Sequence, residues 1–296
     1  MPFPLGETAA LLTSLLWALS STMFTVGTRR HSPQAVNRIR LVLALFLLFL
    51  TVTLFYGSPL PPGGRRVWFF LGLSGVVGLA IGDSFLFYSY RRIGPRVSML
   101  LMSLVPVVTT TVAWVLMGES IRILKLMAIG ITLLGVVMVV SERGDGDSPF
   151  RLSGVGIALG VGAMLGQAAG LLLAKVVLDE GYPSLPATYI RVIWGAATLW
   201  ALGFFTGGWR AVPGAVRDLK CLKTTSMATF LGPYLGIWLS LVAVSYAKIG
   251  IASTLMSLSP IFMIPLSRKV FGERVGARAV IGTLIATAGV AGIFLF

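Results

Sequence analysis

One carboxylate stands deep in an apolar run: Asp83, in Gly78-Leu79-Ala80-Ile81-Gly82-Asp83-Ser84. A charged group at the centre of a bilayer costs roughly 2.5–3.5 kcal/mol, so it persists where it serves a function or finds a partner. The functional readings are proton coupling and capture of a cationic group. The plainer readings are hydrogen bonds to nearby hydroxyls or pairing with an arginine. Two arginines open apolar runs in matching contexts, Arg40 in IRLVLAL and Arg191 in IRVIWGA, with Arg38 two residues before the first. Long basic side chains at such positions snorkel to headgroups; the sharper alternatives are contact with an anionic group and an ion pair with Asp83. Lys175, near the end of another run, has the snorkelling reading.

Around Asp83 the helical spacing collects aromatics. Trp17 shares a face with Thr13, Ser20 and Phe24, and Phe87 and Tyr90 share one with Asp83. Gln167 and Trp238 are the polar and aromatic offers of later runs. Aromatics with a few polar groups suit a small-molecule pocket, and packing is the rival reading for each. Pro106 and Pro260 fall inside predicted helices, where each frees a carbonyl four residues back, those of Met102 and Met256, and permits a kink. That makes the prolines candidate gating positions and the two methionines candidate ligand contacts. Pro265 adds a second break. Glu119 and Glu273 read as helix-start acids, favourable beside a helix N-terminus. Gly162, Gly166 and Gly170, four apart, lay a bare strip on one helix face for close packing.

Several chemistries have no residues to carry them. The chain has one histidine, His31, and one cysteine, Cys221, so no HExxH, CxxC or disulfide can form within it. No GxSxG elbow and no GxxxxGK[ST] phosphate loop occurs. No metal and no cofactor are expected, and no catalytic residues. An intramembrane enzyme would need a second deep carboxylate or a ligand cluster.

The elements that must position these residues are membrane helices. Of 296 residues, 56% are hydrophobic and 11% charged, against about 25% charged in soluble domains; mean hydropathy is +0.91. A span needs roughly 20 mostly apolar residues, and ten such stretches lie near 7–27, 36–56, 67–89, 95–117, 122–141, 152–177, 186–206, 226–246, 250–271 and 276–295. β-Barrel strands alternate over about ten residues; these runs are continuously apolar. The net charge of +14 sits in short gaps between them, where headgroups and loops want it, so a nucleic-acid partner is not expected. Glu7 and the lack of a basic residue before the first run predict a retained span rather than a cleaved leader. Fifteen basic residues fall in loops after odd-numbered spans and six after even-numbered ones, which favours both termini outside.

The chain repeats itself. Met102-Ser103-Leu104-Val105-Pro106 is followed by Gly118-Glu119, and Met256-Ser257-Leu258-Ser259-Pro260 by Gly272-Glu273, at the same offset. Ser89-Tyr90-Arg91-Arg92-Ile93-Gly94 echoes Ser245-Tyr246-Ala247-Lys248-Ile249-Gly250, and Gly135-Val136 matches Gly289-Val290. Ordered self-similarity marks architecture. The longest polar run, 141–149, carries Glu142, Asp145 and Asp147 and divides the halves, predicting a first repeat at 1–141, a linker at 142–151 and a second repeat at 152–296. Five spans per unit is odd, so the second copy must enter the membrane inverted. The predicted fold is an all-α membrane protein of ten transmembrane helices in two inverted five-helix repeats, an arrangement that puts a site near the midplane.

With Leu16-Trp17-Ala18, the arginines opening spans two and seven, and the Pro…Gly-Glu ends of spans four and nine, the sequence resembles the drug/metabolite transporter superfamily, specifically the EamA-type permeases. The resemblance covers essentially the whole chain. It departs in the second half, where Gly166-Gln167 stands in place of a tryptophan-containing stretch. It implies a multi-pass inner-membrane permease, with both termini inside, moving a small metabolite. An amino acid or similar amphipathic compound, exported by alternating access, is the leading expectation. The resemblance also implies a cavity lined by spans 1, 3, 4, 6, 8 and 9, with 5 and 10 peripheral. A multidrug or cation exporter using Asp83 as its coupling carboxylate is the alternative; a non-transporting scaffold or receptor stands outside the class. The implied partners are a small-molecule substrate, the bilayer and protons, in a monomer or homodimer.

Overall fold

A computed structural model describes residues 5–117, 122–141, 150–247 and 249–295. Glu119, Lys248 and the acidic run with Glu142, Asp145 and Asp147 lie outside the described residues, as does most of the 142–151 linker. Every regular element described is helical. The chain runs α1 (Leu5–Arg30), α2 (Pro33–Tyr56), α3 (Arg65–Gly75), a π-helical stretch (Val76–Gly82), α4 (Asp83–Met102), α5 (Val105–Met117) and α6 (Ile123–Val140). After the linker come α7 (Gly154–Leu178), α8 (Ser184–Phe205), a 3-10 turn (Gly208–Ala211), α9 (Val212–Arg217) and α10 (Leu219–Thr229). A second π stretch (Phe230–Gly236) leads to α11 (Ile237–Tyr246), α12 (Ile249–Met256), α13 (Ser259–Phe271) and α14 (Ala277–Leu295). Among the described residues, seven helices are long and apolar enough to cross a membrane.

The punctuation in the sequence sets the helix ends. Ser32 caps α2, its hydroxyl accepting from Ala35 N at 3.2 Å, with Pro33 at the first helical position, where a missing N–H costs nothing. Ser153 caps α7 in the same way through Gly156 N at 3.1 Å. The long helical run 65–102 turns at Gly94, whose φ of 78° suits glycine, immediately before Pro95. A Cβ there would also sit 2.7 Å from the Phe150 ring.

The predicted spans four and nine are not continuous helices. The first breaks between α4 and α5 at Ser103-Leu104, the second between α12 and α13 at Ser257-Leu258, each just ahead of its proline. Proline begins the next helix instead of kinking a single one. The carbonyl of Met256 finds the Ser259 hydroxyl, 3.3 Å away, which also lies 2.9 Å from the carbonyl of Ser14 on α1.

Small residues bring backbones together. The strip on α7 packs on the first π stretch: a Cβ at Gly166 would stand 2.8 Å from Gly82 Cα, and one at Gly170 3.1 Å from Gly78 Cα. A Cβ at Gly162 would stand 3.0 Å from the Phe85 ring. α8 crosses α3 as closely, since a Cβ at Gly75 would fall 2.1 Å from the Arg191 carbonyl oxygen. α6 and α14 pair through Gly135, Gly282 and Gly289, with a Cβ at Gly135 only 2.3 Å from Ala286 N. In lipid such approach supplies the packing that no hydrophobic effect provides between helices.

At one end of the helices the chain is tied across α1, α4 and α13. Arg96 holds Glu273 through Nε at 2.9 Å and Nη2 at 2.7 Å, both residues buried. Arg29 lies over the rings of Phe150 and Phe271, 5.3 and 5.9 Å from their centroids. Glu273 is therefore a buried ion-pair partner and not the exposed helix-start acid that its place between spans predicted. The loop after Gly272, itself in the left-handed region at φ 66°, folds the carboxylate inward.

Candidate functional site

A cavity of about 540 Å³ lies among the helices. Trp17, Ser20, Ser21 and Phe24 of α1 form one wall, and Leu86, Phe87, Tyr90, Met99 and Met102 of α4 another. Pro106, Met256 and Pro260, the residues flanking the two helix breaks, also reach it. Volume and an apolar, aromatic lining match a small-molecule site.

Its polar centre is one cluster. Arg40 Nη2 lies 2.5 Å from Asp83 Oδ2, and Gln167 Nε2 donates to Asp83 Oδ1 at 2.6 Å. Asp83 is buried at 3% exposure and Arg40 at 8%. Of the readings open to Asp83, the geometry is that of an arginine pair completed by an amide. The Arg40 guanidinium also lies over Phe87 and Phe24, at 5.3 and 5.9 Å from their centroids, a favourable cation–π position. Those two rings pack against each other at 5.0 Å, and Phe87 meets Tyr90 at 5.7 Å. Tyr90 donates its hydroxyl to Ser21 Oγ at 3.1 Å.

Arg191 enters the same cavity from α8. The absence of a side chain at Gly78 makes room for it: a Cβ there would stand 3.4 Å from Arg191 Nη2 and 3.6 Å from Gln167 Oε1. Arg191 makes no ion pair among the described residues, and its buried Nε has no hydrogen-bond partner. The Nε of Arg40 is likewise without a partner.

The helix phase decides which predicted residues meet here. Trp17, Asp83, Phe87, Met102, Gln167, Met256, Pro106, Pro260, Arg40 and Arg191 all line the cavity. Trp238 does not. It is 44% exposed and packs edge-on against Phe55 and Tyr234 at 6.0 and 6.2 Å. The π stretch before α11 adds a residue to the turn, so Gly232, Pro233 and Ile237 take the cavity face and Trp238 lies about 100° further round.

Other expectations are corrected as well. Arg40 does not snorkel, and neither does Arg38, which is 1% exposed and donates to the carbonyls of Leu199 and Gly208, each at 3.1 Å. The guanidinium lies over Gly203, where a Cβ would come within 2.6 Å of it. Spans 2, 7 and 10 also reach the cavity, through Arg40, Arg191, and Val290 with Phe294; the last pair departs from the peripheral place implied for span ten. Lys175 is half-exposed near the end of α7, 4.0 Å from Asp179.

Three further residues take places that their types do not announce. Ser21 and Met99, which hold Tyr90, sit on the same helical faces as Trp17 and Met102, and that spacing was the available signal. Arg96 directly follows the Gly94-Pro95 turn, at the start of the helical segment of α4 that runs on to Met102, and is no loop charge.

Among the described residues no group of three or more His, Cys, Asp or Glu side chains could hold a metal. The arrangement can bind and orient a small amphipathic molecule in a largely apolar chamber. It offers no paired acid and base.

A search of curated proteins finds no match. A solved crystal structure resembles this chain with a TM-score of 0.64 at 15% identity, over 98% of this chain and 96% of its own, a likeness of fold alone. The profile of the EamA-like transporter family matches twice, at residues 4–141 and again at 154–295. Two tandem matches over nearly the whole length, on a helical membrane fold enclosing a central chamber, show that the chain belongs to the EamA-like transporter family.

Proposed function

We propose that this chain is a secondary transporter that exports a small amphipathic metabolite, of amino-acid dimensions, across the inner membrane by alternating access. Its ten spans form two oppositely inserted halves, 1–141 and 152–296, joined by the linker 142–151, and the halves rock about the cavity. The observation that carries this reading is the cavity itself, apolar and aromatic around the Arg40–Asp83–Gln167 cluster. Helix breaks border it at Pro106 and Pro260, as broken helices border transporter sites. The sequence carries no phosphate loop, and in this reading the energy comes from an ion gradient or from the substrate's own.

Protons are the coupling ion in this reading, with Asp83 the carrier. Protonation would release Arg40 and Gln167 together and loosen α2 and α7 from α4. The other charged or titratable groups around Asp83 are Arg191 and Tyr90. The reading of a cation exporter is weaker, because Asp83 is already bonded on both oxygens.

The test is a thermal-shift screen of metabolites on purified protein, followed by flux of each hit in proteoliposomes at varied pH. Flux of at least one hit, with a pH dependence lost in Asp83→Asn, is expected. Passage of no solute, with no conformational response to any ligand, would leave a scaffold or receptor instead. Flux whose pH dependence survives in Asp83→Asn would remove the proton role and keep the transporter.

A further inference from the structure

We infer that the cavity selects an amphipathic organic monoanion, with a carboxylate held by Arg191, and rejects cationic and zwitterionic molecules of the same size. The inference rests on the proposed transport reading for its biological meaning, but its physical basis is the charge inventory of the chamber.

An ammonium group has two ways to be held in an apolar site: a carboxylate or the face of an aromatic ring. Arg40 takes the carboxylate and two of the rings, leaving Trp17, Tyr90 and Phe294 as the other aromatic faces of the lining. Its guanidinium takes one Asp83 oxygen, Gln167 takes the other, and the same guanidinium lies over Phe87 and Phe24. Among the described residues no other acid lines the cavity. A bound cation would therefore reach a carboxylate only by displacing Arg40 from a buried ion pair, and on the remaining rings it would share the chamber with the positive charge of Arg191.

What the cavity leaves unsatisfied is all of one kind. Among its lining residues, the buried side-chain atoms without a partner are two donors, Nε of Arg40 and Nε of Arg191. A group with acceptors only, carrying one negative charge, complements them; a planar carboxylate fits a guanidinium edge through two parallel hydrogen bonds. One unpaired cation also argues against a dianion such as a phosphate monoester, whose second charge would find no partner.

The internal repeat shows how the imbalance arises. Arg40 and Arg191 are matching residues of the two halves, and Arg40 is neutralised by Asp83 of the same half. The corresponding region of the second half, Gly236-Ile237-Trp238-Leu239, carries no acid. Arg191 keeps the charge of its counterpart without the partner, and a ligand supplies what the repeat lacks.

The test is a series of four probes with one phenylpropyl body: 3-phenylpropionate, 3-phenylpropylamine, 3-phenylpropanol and phenylalanine. Binding to the full-length purified protein is measured by calorimetry and by displacement. The carboxylate is expected to bind at least tenfold more tightly than the other three. Arg191→Gln should abolish that preference while leaving the alcohol unchanged, and Arg191→Lys should retain part of it. A preference for the amine or the amino acid, equal affinity across the series, no binding by any member, or an undiminished carboxylate preference in Arg191→Gln would each overturn the assignment. The wild-type series needs no variant to fold. Anion binding without any flux in proteoliposomes would overturn the transport reading and leave this one in place; flux of a cation would do the reverse.

Discussion

Arg40 on α2 and Asp83 at the start of α4 form a buried ion pair, Nη2 to Oδ2 at 2.5 Å, inside the central cavity. Removing one member of such a pair leaves a charge in the dry interior, which costs about 3–5 kcal/mol, whereas removing both is far cheaper. Asp83→Asn and Arg40→Met should each lower the unfolding temperature in detergent, and the double variant Arg40→Met with Asp83→Leu should recover most of the loss. A double variant whose loss equals the sum of the two single losses would mean that the two side chains contribute independently.

Glu273 and Arg96 tie the end of α13 to α4. Each also leaves one polar atom unsatisfied, Arg96 Nη1 and Glu273 Oε2. The single variant Glu273→Gln is expected to destabilise by about 3–5 kcal/mol for the same reason. A double-mutant cycle with Arg96→Gln should return a coupling energy well above the roughly 0.3–0.5 kcal/mol scatter of independent sites. Coupling within that scatter would show that the contact contributes no more than a surface pair.

The glycines of α7 divide cleanly from others in the chain. Gly166→Ala would put a Cβ 2.8 Å from Gly82 Cα, a backbone contact that cannot yield without separating the helices, and should cost about 1–3 kcal/mol. Gly130→Ala on α6 meets nothing within 4 Å and should be neutral or stabilising by up to about 1 kcal/mol. Equal melting temperatures for the two variants would refute close helix contact as the reason for the strip.

Trp17 and Trp238 test the cavity wall. Trp17→Ala should weaken ligand binding measured on purified protein at least tenfold, since its indole faces the chamber beside Gly236. Trp238→Leu should leave affinity within a factor of two, because its ring packs on Phe55 outside. The opposite ranking would move the binding site.

Outside the spans, Asp218 caps α10 through Lys220 N and Cys221 N, and accepts from Arg30 Nε at 2.7 Å and His31 Nε2 at 3.0 Å. The Arg30 hydrogen bond, more than that of His31, holds its carboxyl well below the usual aspartate range. A depressed folded-state pKa stabilises the fold above the unfolded value, about 3.9, and that contribution fades as pH falls toward the folded one. Asp218→Asn should therefore lower the melting temperature at pH 7 by a small margin that narrows as pH falls below about 4. A margin that widened on acidification would contradict the pairing.

Much of this protein is written in residue types. Continuous apolar runs dictate helices, because in lipid only a helix satisfies its own backbone. The Ser32-Pro33 and Gly94-Pro95 pairs mark helix boundaries because cap chemistry is local. The Pro…Gly-Glu recurrence marked duplication, and the cost of a buried carboxylate singled out Asp83 whatever the fold. Ten of the eleven residues chosen for cavity contact or gating line one chamber, since helical periodicity alone sorts a helix's faces.

Tertiary structure decided what periodicity cannot reach. Trp238 was misplaced because a π stretch shifts helix phase without a clear sign in composition. Arg38 and Glu273 looked like interface residues because a charge at a span end is usually solvated; only the packing of α8 over α2, and the inward turn after Gly272, buries them. Above all, that Arg40 neutralises Asp83 while Arg191 makes no ion pair depends on which helices meet across 43 residues of chain in one case and, in the other, on the nearby acid being Asp83, already bonded on both oxygens. Charge type belongs to the residue; its partner belongs to the fold.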